Sequence, residues 1–248
     1  MDRMRKLGAV FVTSLVALVG CGSGASPQDL AIAADLGSAP DLQPLPTVSA
    51  AGTVTSSAQA VNLPLADVTV CLFPQKTQCT TTNATGFFEL DGLPGGLDLV
   101  LSFDKTGYLP DLVPIAADSN ASPQLALIPS ATWTAWVSAA GSTWDPAKGA
   151  AIFTLVSTTT LANGKATMAP ASGDGPFYID PSTMPPTPQA SSIGPSLFLN
   201  VAPATYTFTA TATGKNCTLL VGWGADGSKS VKGPLAPGYA TTVVSRCM

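Results

Sequence analysis

Residues 80–109, TTTNATGFFELDGLPGGLDLVLSFDKTGYL, decide the fold class. From Gly86 to Leu90, and again from Asp98 to Lys105, apolar residues recur at alternate positions, the period of a strand with one buried face. Asn83-Ala84-Thr85-Gly86 supplies turn residues that tolerate positive φ. Working outward, short runs of Val, Thr, Leu and Phe alternate with Gly, Pro and Asn turns about every 8–12 residues, as in a sandwich or barrel. The strands read in this half are Thr47–Thr55, Asp67–Phe73, Cys79–Thr82, Gly86–Leu90, Asp98–Lys105, Asp111–Ala116 and Gln124–Ile128. In Val68-Thr69-Val70-Cys71-Leu72-Phe73, Val68, Val70 and Leu72 face one way and Thr69, Cys71 and Phe73 the other. No stretch of this half sustains a helical period with a credible cap.

The second half reads as a degenerate copy. Gly194 through Phe208 repeats the order found from Gly86 to Leu99: Gly, Phe, apolar, polar, apolar, a Pro-containing turn, then an alternating strand. Strands are expected at Trp133–Ala139, Ala150–Val156, Ala166–Met168, Phe177–Ile179, Ser196–Val201, Tyr206–Ala212, Thr218–Trp223, Ser228–Val231 and Tyr239–Val244. The Pro- and Ser-rich stretch Pro181–Pro195 is expected to be a long surface loop. This repetition places a joint near Pro129–Ala131.

Residues 64–73 (PLADVTVCLF), 80–92 (TTTNATGFFELDG) and 93–109 (LPGGLDLVLSFDKTGYL) together resemble carboxypeptidase regulatory-like domains. Gly86, Phe88, Leu90, Leu93-Pro94, Gly96, Gly107 and Tyr108 carry the likeness, and Asp67, Thr85, Gly95 and Asp98 depart from it. The resemblance covers about 80 residues and implies an all-β architecture of seven-stranded, Greek-key, transthyretin-like β-sandwiches. It implies no activity, since such a module is a spacer or binding platform in unrelated proteins. Two such sandwiches in tandem are expected, over residues 47–129 and, degenerate, 130–248.

At the other end of the chain, Arg3, Arg5 and Lys6 precede a charge-free apolar run from Leu7 to Val19. A basic start, a short apolar core and a small residue before a cut site make a secretory signal. The run is shorter than the roughly 20 apolar residues of a spanning helix. Leu18-Val19-Gly20-Cys21 resembles the lipobox of bacterial lipoproteins. That resemblance implies cleavage after residue 20, a lipid on the Cys21 thiol and, because Gly22 rather than Asp follows, the outer membrane as destination. Residues 21–46 carry the lipidated Cys and a linker of Pro, Ala, Asp and Gly without period, a disordered tether reaching on the order of 80 Å when extended.

Composition narrows function. The chain has no His, which removes Ser-His-Asp and Cys-His nucleophile systems and the usual zinc ligand sets. The net charge of −4, with scattered lysines, gives no electrostatic footprint for nucleic acid. Glu89, the sole glutamate, alternates with Phe88 and Leu90 and is expected to face solvent; the aspartates Asp91, Asp104, Asp118, Asp174 and Asp226 fall mostly at turns. No pair of acids is selected for glycoside chemistry, and Asp174-Gly175 and Asp226-Gly227 fall short of the six to eight oxygens of a calcium site. No metal, cofactor or catalytic residue is assigned.

With Cys21 taken by lipid, Cys71, Cys79, Cys217 and Cys247 form an even set in an oxidising compartment, with three possible pairings. A hairpin placing Cys71 opposite Cys79 favours Cys71–Cys79 with Cys217–Cys247. Trp133 and Trp136, three apart on a strand, are expected on opposite faces. Trp144, Trp223 and Tyr178 are the candidate ligand-binding rings, Trp144 being the most exposed. The functional expectation is a non-catalytic adhesion, scaffold or protein-binding module of the cell envelope; the alternative is a carbohydrate-binding module using those rings. The expected partners are the membrane, through the Cys21 lipid, and a cell-wall or extracellular glycan or an envelope protein. Cys21→Ser should therefore move the protein from the membrane to the soluble fraction; a variant that stays with the membrane contradicts the lipid anchor.

Overall fold

The computed structural model describes residues 46–57, 62–116, 121–158, 161–180, 187–191, 194–224 and 227–248. Cys21, the leader, most of the linker, Asp118 and Asp226 lie outside them. In the first half the described strands are β1 (Thr47–Ser56), β2 (Leu63–Pro64), β3 (Thr69–Leu72), β4 (Cys79–Thr81), β5 (Phe87–Pro94), β6 (Asp98–Asp104), β7 (Asp111–Ala116) and β8 (Gln124–Leu127). One helix, α1 (Ser130–Ala139), follows. The second half contributes β9 (Gly149–Val156), β10 (Lys165–Ala169), β11 (Asp174–Asp180), β12 (Thr187–Gln189), β13 (Pro195–Val201), β14 (Ala204–Thr211), β15 (Cys217–Val221), β16 (Ser230–Leu235) and β17 (Ala240–Cys247).

The protein is nearly all β, and its layers form sandwiches. Turn chemistry starts the first one. The Asn83 side-chain oxygen accepts from the backbone N–H of Thr85 and Phe87 at 2.9 and 3.1 Å. Gly86 then sits at φ 74°, where a Cβ would collide with the carbonyl oxygen of Val54. That close approach lets β5 enter antiparallel to β1, with Thr53 opposite Phe87. Phe88 and Leu90 point inward while Phe87, Glu89 and Asp91 point out. Sheet β2-β1-β5, with β8 parallel to β1, covers β7-β6-β3-β4. Between these layers Phe88 meets Phe103 edge-on at 5.5 Å, among Val54, Val70, Leu93, Leu101 and Leu127. Each ring buried there contributes about 1.5–3 kcal/mol. Tyr108 packs against this core and donates its hydroxyl to Ser56 Oγ at 3.2 Å.

The second core lies between β11-β13-β9-β17 and the small sheet β10-β14-β16, where Phe208 touches both Phe153 and Phe198. The two large layers are one sheet. Ten strands run in the order β12-β11-β13-β9-β17-β7-β6-β3-β4, with β15 also on β17. The last strand, β17, makes the join. It is parallel to β9 from Ala240↔Ala150 to Arg246↔Val156 and parallel to β7 at Ala240↔Asp111 and Thr241↔Leu112. The two segments that repeat in sequence cross between layers in opposite senses. The step β5→β6 enters the ten-stranded sheet, and the step β13→β14 leaves it.

Three expectations of the sequence are corrected. Residues 133–139 are helix, not strand. Trp133, Trp136 and Val137, at i, i+3 and i+4, form one apolar stripe, and all three are buried on the same side. The helix ends in a Schellman motif. Gly141, at φ 67°, donates to Ser138 O at 2.9 Å, and Ser142 donates to Val137 O at 3.2 Å. Pro129 before the first turn and Gly141 after the last are the start and stop signals. Trp, Thr and Val are strand formers, and packing of the indole stripe overrides that preference. The second correction concerns 181–195: β12 pairs there with β11, Tyr178↔Gln189, so the stretch is not all loop. Asp91, Asp104 and Asp174 likewise sit in strands rather than turns.

The β7–β17 seam holds one buried acid. Asp111, 2% exposed, accepts from Thr242 N–H at 3.1 Å and from Thr242 Oγ1 at 2.7 Å. Burial pushes its carboxyl from 3.8 up to about 7, against the hydrogen bonds from Thr242 and the Leu112 N–H. Folding therefore takes up a proton between pH 4 and 7, and stability declines with rising pH across that window before levelling off. Asp111→Asn should flatten this decline in urea-unfolding midpoints measured from pH 4 to 8. An unchanged slope would remove Asp111 as its source.

Candidate functional site

The disulfides come straight from strand register. Cys71 pairs with Cys79 across β3–β4 and Cys217 with Cys247 across β15–β17, and each pair is bonded. The structure thus brings together Cys71 with Cys79, eight residues apart, and Cys217 with Cys247, thirty apart.

The three candidate rings are not brought together. Tyr178 lies on the β10-β14-β16 side of the large sheet, packed against the second core. Its hydroxyl accepts the Ala166 N–H at 3.2 Å, and Lys165 Nζ sits 5.1 Å from its ring centre. Trp223 is half-buried and donates its indole N–H to Leu99 O at 2.8 Å, a bond from the second half to the first. Trp144 lies on the opposite face of the sheet from Tyr178, against α1. It is half-buried rather than fully exposed and packs edge-to-face on Trp133 with ring centres 5.5 Å apart.

Around Trp144 the fold builds a site from the sheet upward. Ile152 of β9, Ile179 of β11, and Leu197 and Leu199 of β13 form a floor. On it lie Trp133, Trp136 and Val137 of α1, joined by Leu109 and Ile128 from the first half. The loop after α1 is pinned by Asn200, which sits at φ 55° at the end of β13. The Asn200 side-chain oxygen accepts from Asp145 N–H at 2.8 Å, and its amide donates to Thr143 O and to an Asp174 carboxylate oxygen, both at 2.8 Å. Ser142 Oγ reaches the same carboxylate oxygen at 3.4 Å. Asp174 is thus spent on the loop. Between loop and helix lies an open depression of about 590 Å³, walled by Trp133, Val137 and Trp144 and rimmed by Thr134, Ser138 and Thr143. The indole N–H groups of Trp133 and Trp144 are shut from solvent and meet no acceptor.

A polar cluster stands at the joint of the halves, which sequence reading did not single out. Lys76 pairs with Asp104 at 3.0 Å and donates to Tyr239 Oη, and Tyr239 donates to the other Asp104 oxygen at 3.1 Å. Burial pushes the Tyr239 phenol up. Burial alone would lower the Lys76 amine, but its bonds to Tyr239 and Asp104 outweigh this and raise it. Both groups therefore hold their protons through neutral pH, and the cluster acts as a fixed bridge. Among the described residues no group of three or more Cys, Asp or Glu is placed to hold a metal ion, and no helix is long and apolar enough to cross a membrane.

No family model matches the chain, and no curated protein matches it. Similar solved structures include the Bacillus anthracis TIE protein, at 14% identity and TM-score 0.26, covering 81% of this chain and 34% of that one. GBS52, the minor pilin of the Gram-positive pathogen Streptococcus agalactiae, is similar at 11% identity and TM-score 0.26, covering 81% and 96%. A DUF3823 family protein from Parabacteroides merdae is similar at 12% identity and TM-score 0.27, covering 77% and 98%. The chain spans about a third of the length of the TIE protein. Likenesses this distant carry no argument about function, and the β-sandwich assignment stands on the sheet order and register of the chain itself.

Proposed function

We propose that this chain is an exported lipoprotein of the bacterial envelope, held at the outer membrane through Cys21, whose folded part is a non-catalytic adhesion or scaffold module related to carboxypeptidase regulatory-like sandwiches. The observation that carries this reading is the ten-stranded sheet common to both cores. A load applied at β1 would pass through the first core to β7 and cross hydrogen-bonded strands to β17 and β9. The Cys217–Cys247 bridge fastens the end of the joining strand, and Cys71–Cys79 fastens one edge of the same sheet. The chemistry on offer fits a passive role. The chain has no imidazole, and the carboxylates of Asp104, Asp111 and Asp174 are each engaged by structural partners.

The test is made on cells. A strain lacking the chain should lose adhesion to neighbouring cells or to a glycan-coated surface. Wild-type protein should restore it, and Cys21→Ser, released from the membrane, should not. Undiminished adhesion in the deletion strain would retire the reading.

A further inference from the structure

We infer that the depression between α1 and the Trp144 loop is a binding site for a neutral, hydroxyl-rich ring of the size of one or two sugar units. The inference goes beyond the anchored-scaffold reading and does not depend on Cys21. Four observations lead to it. First, the depression, at about 590 Å³, falls within the range of small-molecule sites. Second, among the described residues no charged side chain lines it, so a phosphate, carboxylate or ammonium group would find no counter-charge. Third, Trp133 is 4% exposed and its indole N–H has no acceptor; the Trp144 N–H is in the same condition. An indole only donates, so a ligand satisfying either must bring acceptor oxygens. Fourth, the loop bearing Trp144 is fixed by Asn200 and Asp174, which keeps the site in place.

Hydroxyl and ring oxygens on an otherwise C–H-lined face supply this combination. The apolar face lies against the indoles, and the hydroxyls meet the Trp133 and Trp144 N–H groups and the Thr134, Ser138 and Thr143 hydroxyls. Trp144 is the half-buried member of the pair, so an outward turn of its side chain would admit the ring and uncover the Trp133 N–H. Tyr178 and Trp223 take no part, because each is engaged elsewhere.

The test uses the full chain in a sugar-free zwitterionic detergent, labelled with nitrogen-15. Its four tryptophans give four indole N–H resonances, assigned by single Trp→Phe variants. Cellobiose, maltose and diacetylchitobiose are added separately up to about 10 mM, beyond the weak end of useful affinity. At least one should shift the Trp133 and Trp144 resonances and spare those of Trp136 and Trp223. Trp144→Ala should weaken that binding roughly tenfold or more, the loss of one good aromatic contact. Trp144→Phe, which keeps a ring but removes the N–H, should weaken it less and covers the case of an unfolded alanine variant. No shift with any of the three, or shifts confined to Trp136 or Trp223, overturns the site. Either result leaves the membrane fractionation of Cys21→Ser untouched, so the two readings fail separately.

Discussion

The structure depends on the parallel insertion of β17 between β7 and β9. Its backbone hydrogen-bonds to β9 along most of its length, to β7 at its start and to β15 at its end. Each of these bonds nets only about 0.5–1.5 kcal/mol, but leaving such groups buried and unpaired would cost more. One face of the strand is buried along its length, and the other is buried at Ala240, half-buried at Thr242 and Val244 and exposed at Arg246. Ala240 packs toward α1, while Val243 and Cys247 pack into the second core. Side-chain links cluster where the halves meet: Asp111 with Thr242, Lys76 with Asp104 and Tyr239, and Trp223 with Leu99. Remove β17 and the two cores lose their join, and the second core also loses Val243 and Cys247 from its fill.

The join has consequences for mechanics and for pH response. A seam made of strand pairing resists shear better than a flexible linker, since several hydrogen bonds must break together. Its one buried carboxyl makes the same seam sensitive to proton concentration. The polar bridge of Lys76, Asp104 and Tyr239 lies nearer solvent, and Lys76 and Tyr239 keep their protons across the same range.

The helix is the second departure from a plain sandwich. The outer face of β9, β11 and β13 presents Ile152, Ile179, Leu197 and Leu199, which among the described residues are covered by α1 rather than by a further strand. A strand at 130–139 would turn Trp133 and Trp136 to opposite sides, whereas a helix lays both on that face. Covering the face with so short a helix leaves an open rim, and that rim with the Trp144 loop makes the depression. The candidate site is therefore a by-product of how an apolar sheet face is closed.

Much was legible from residues alone. Short apolar runs between turns located most strands, as at Asp111–Ala116, and the placing of Cys71 and Cys79 at neighbouring strand ends made a hairpin bridge the natural pairing. The leader, the Cys21 lipobox and the tether are sequence readings throughout. The helix was legible in principle, through the i, i+3, i+4 stripe, Pro129 and Gly141, yet strand propensity pointed the other way. Period-two patterning reports which side of a residue is buried but not which strand lies beside it. The parallel join of β17 to β7 and β9, the burial of Asp111 against Thr242 and the dispersal of Trp144, Trp223 and Tyr178 arise from contacts between residues as much as 131 positions apart. The sequence by itself determined an all-β chain of short, turn-punctuated strands, because alternation and turn chemistry act locally. Only the tertiary structure decided how those strands share one sheet and where the tryptophans end up, because strand pairing and the burial of large rings are settled by distant neighbours.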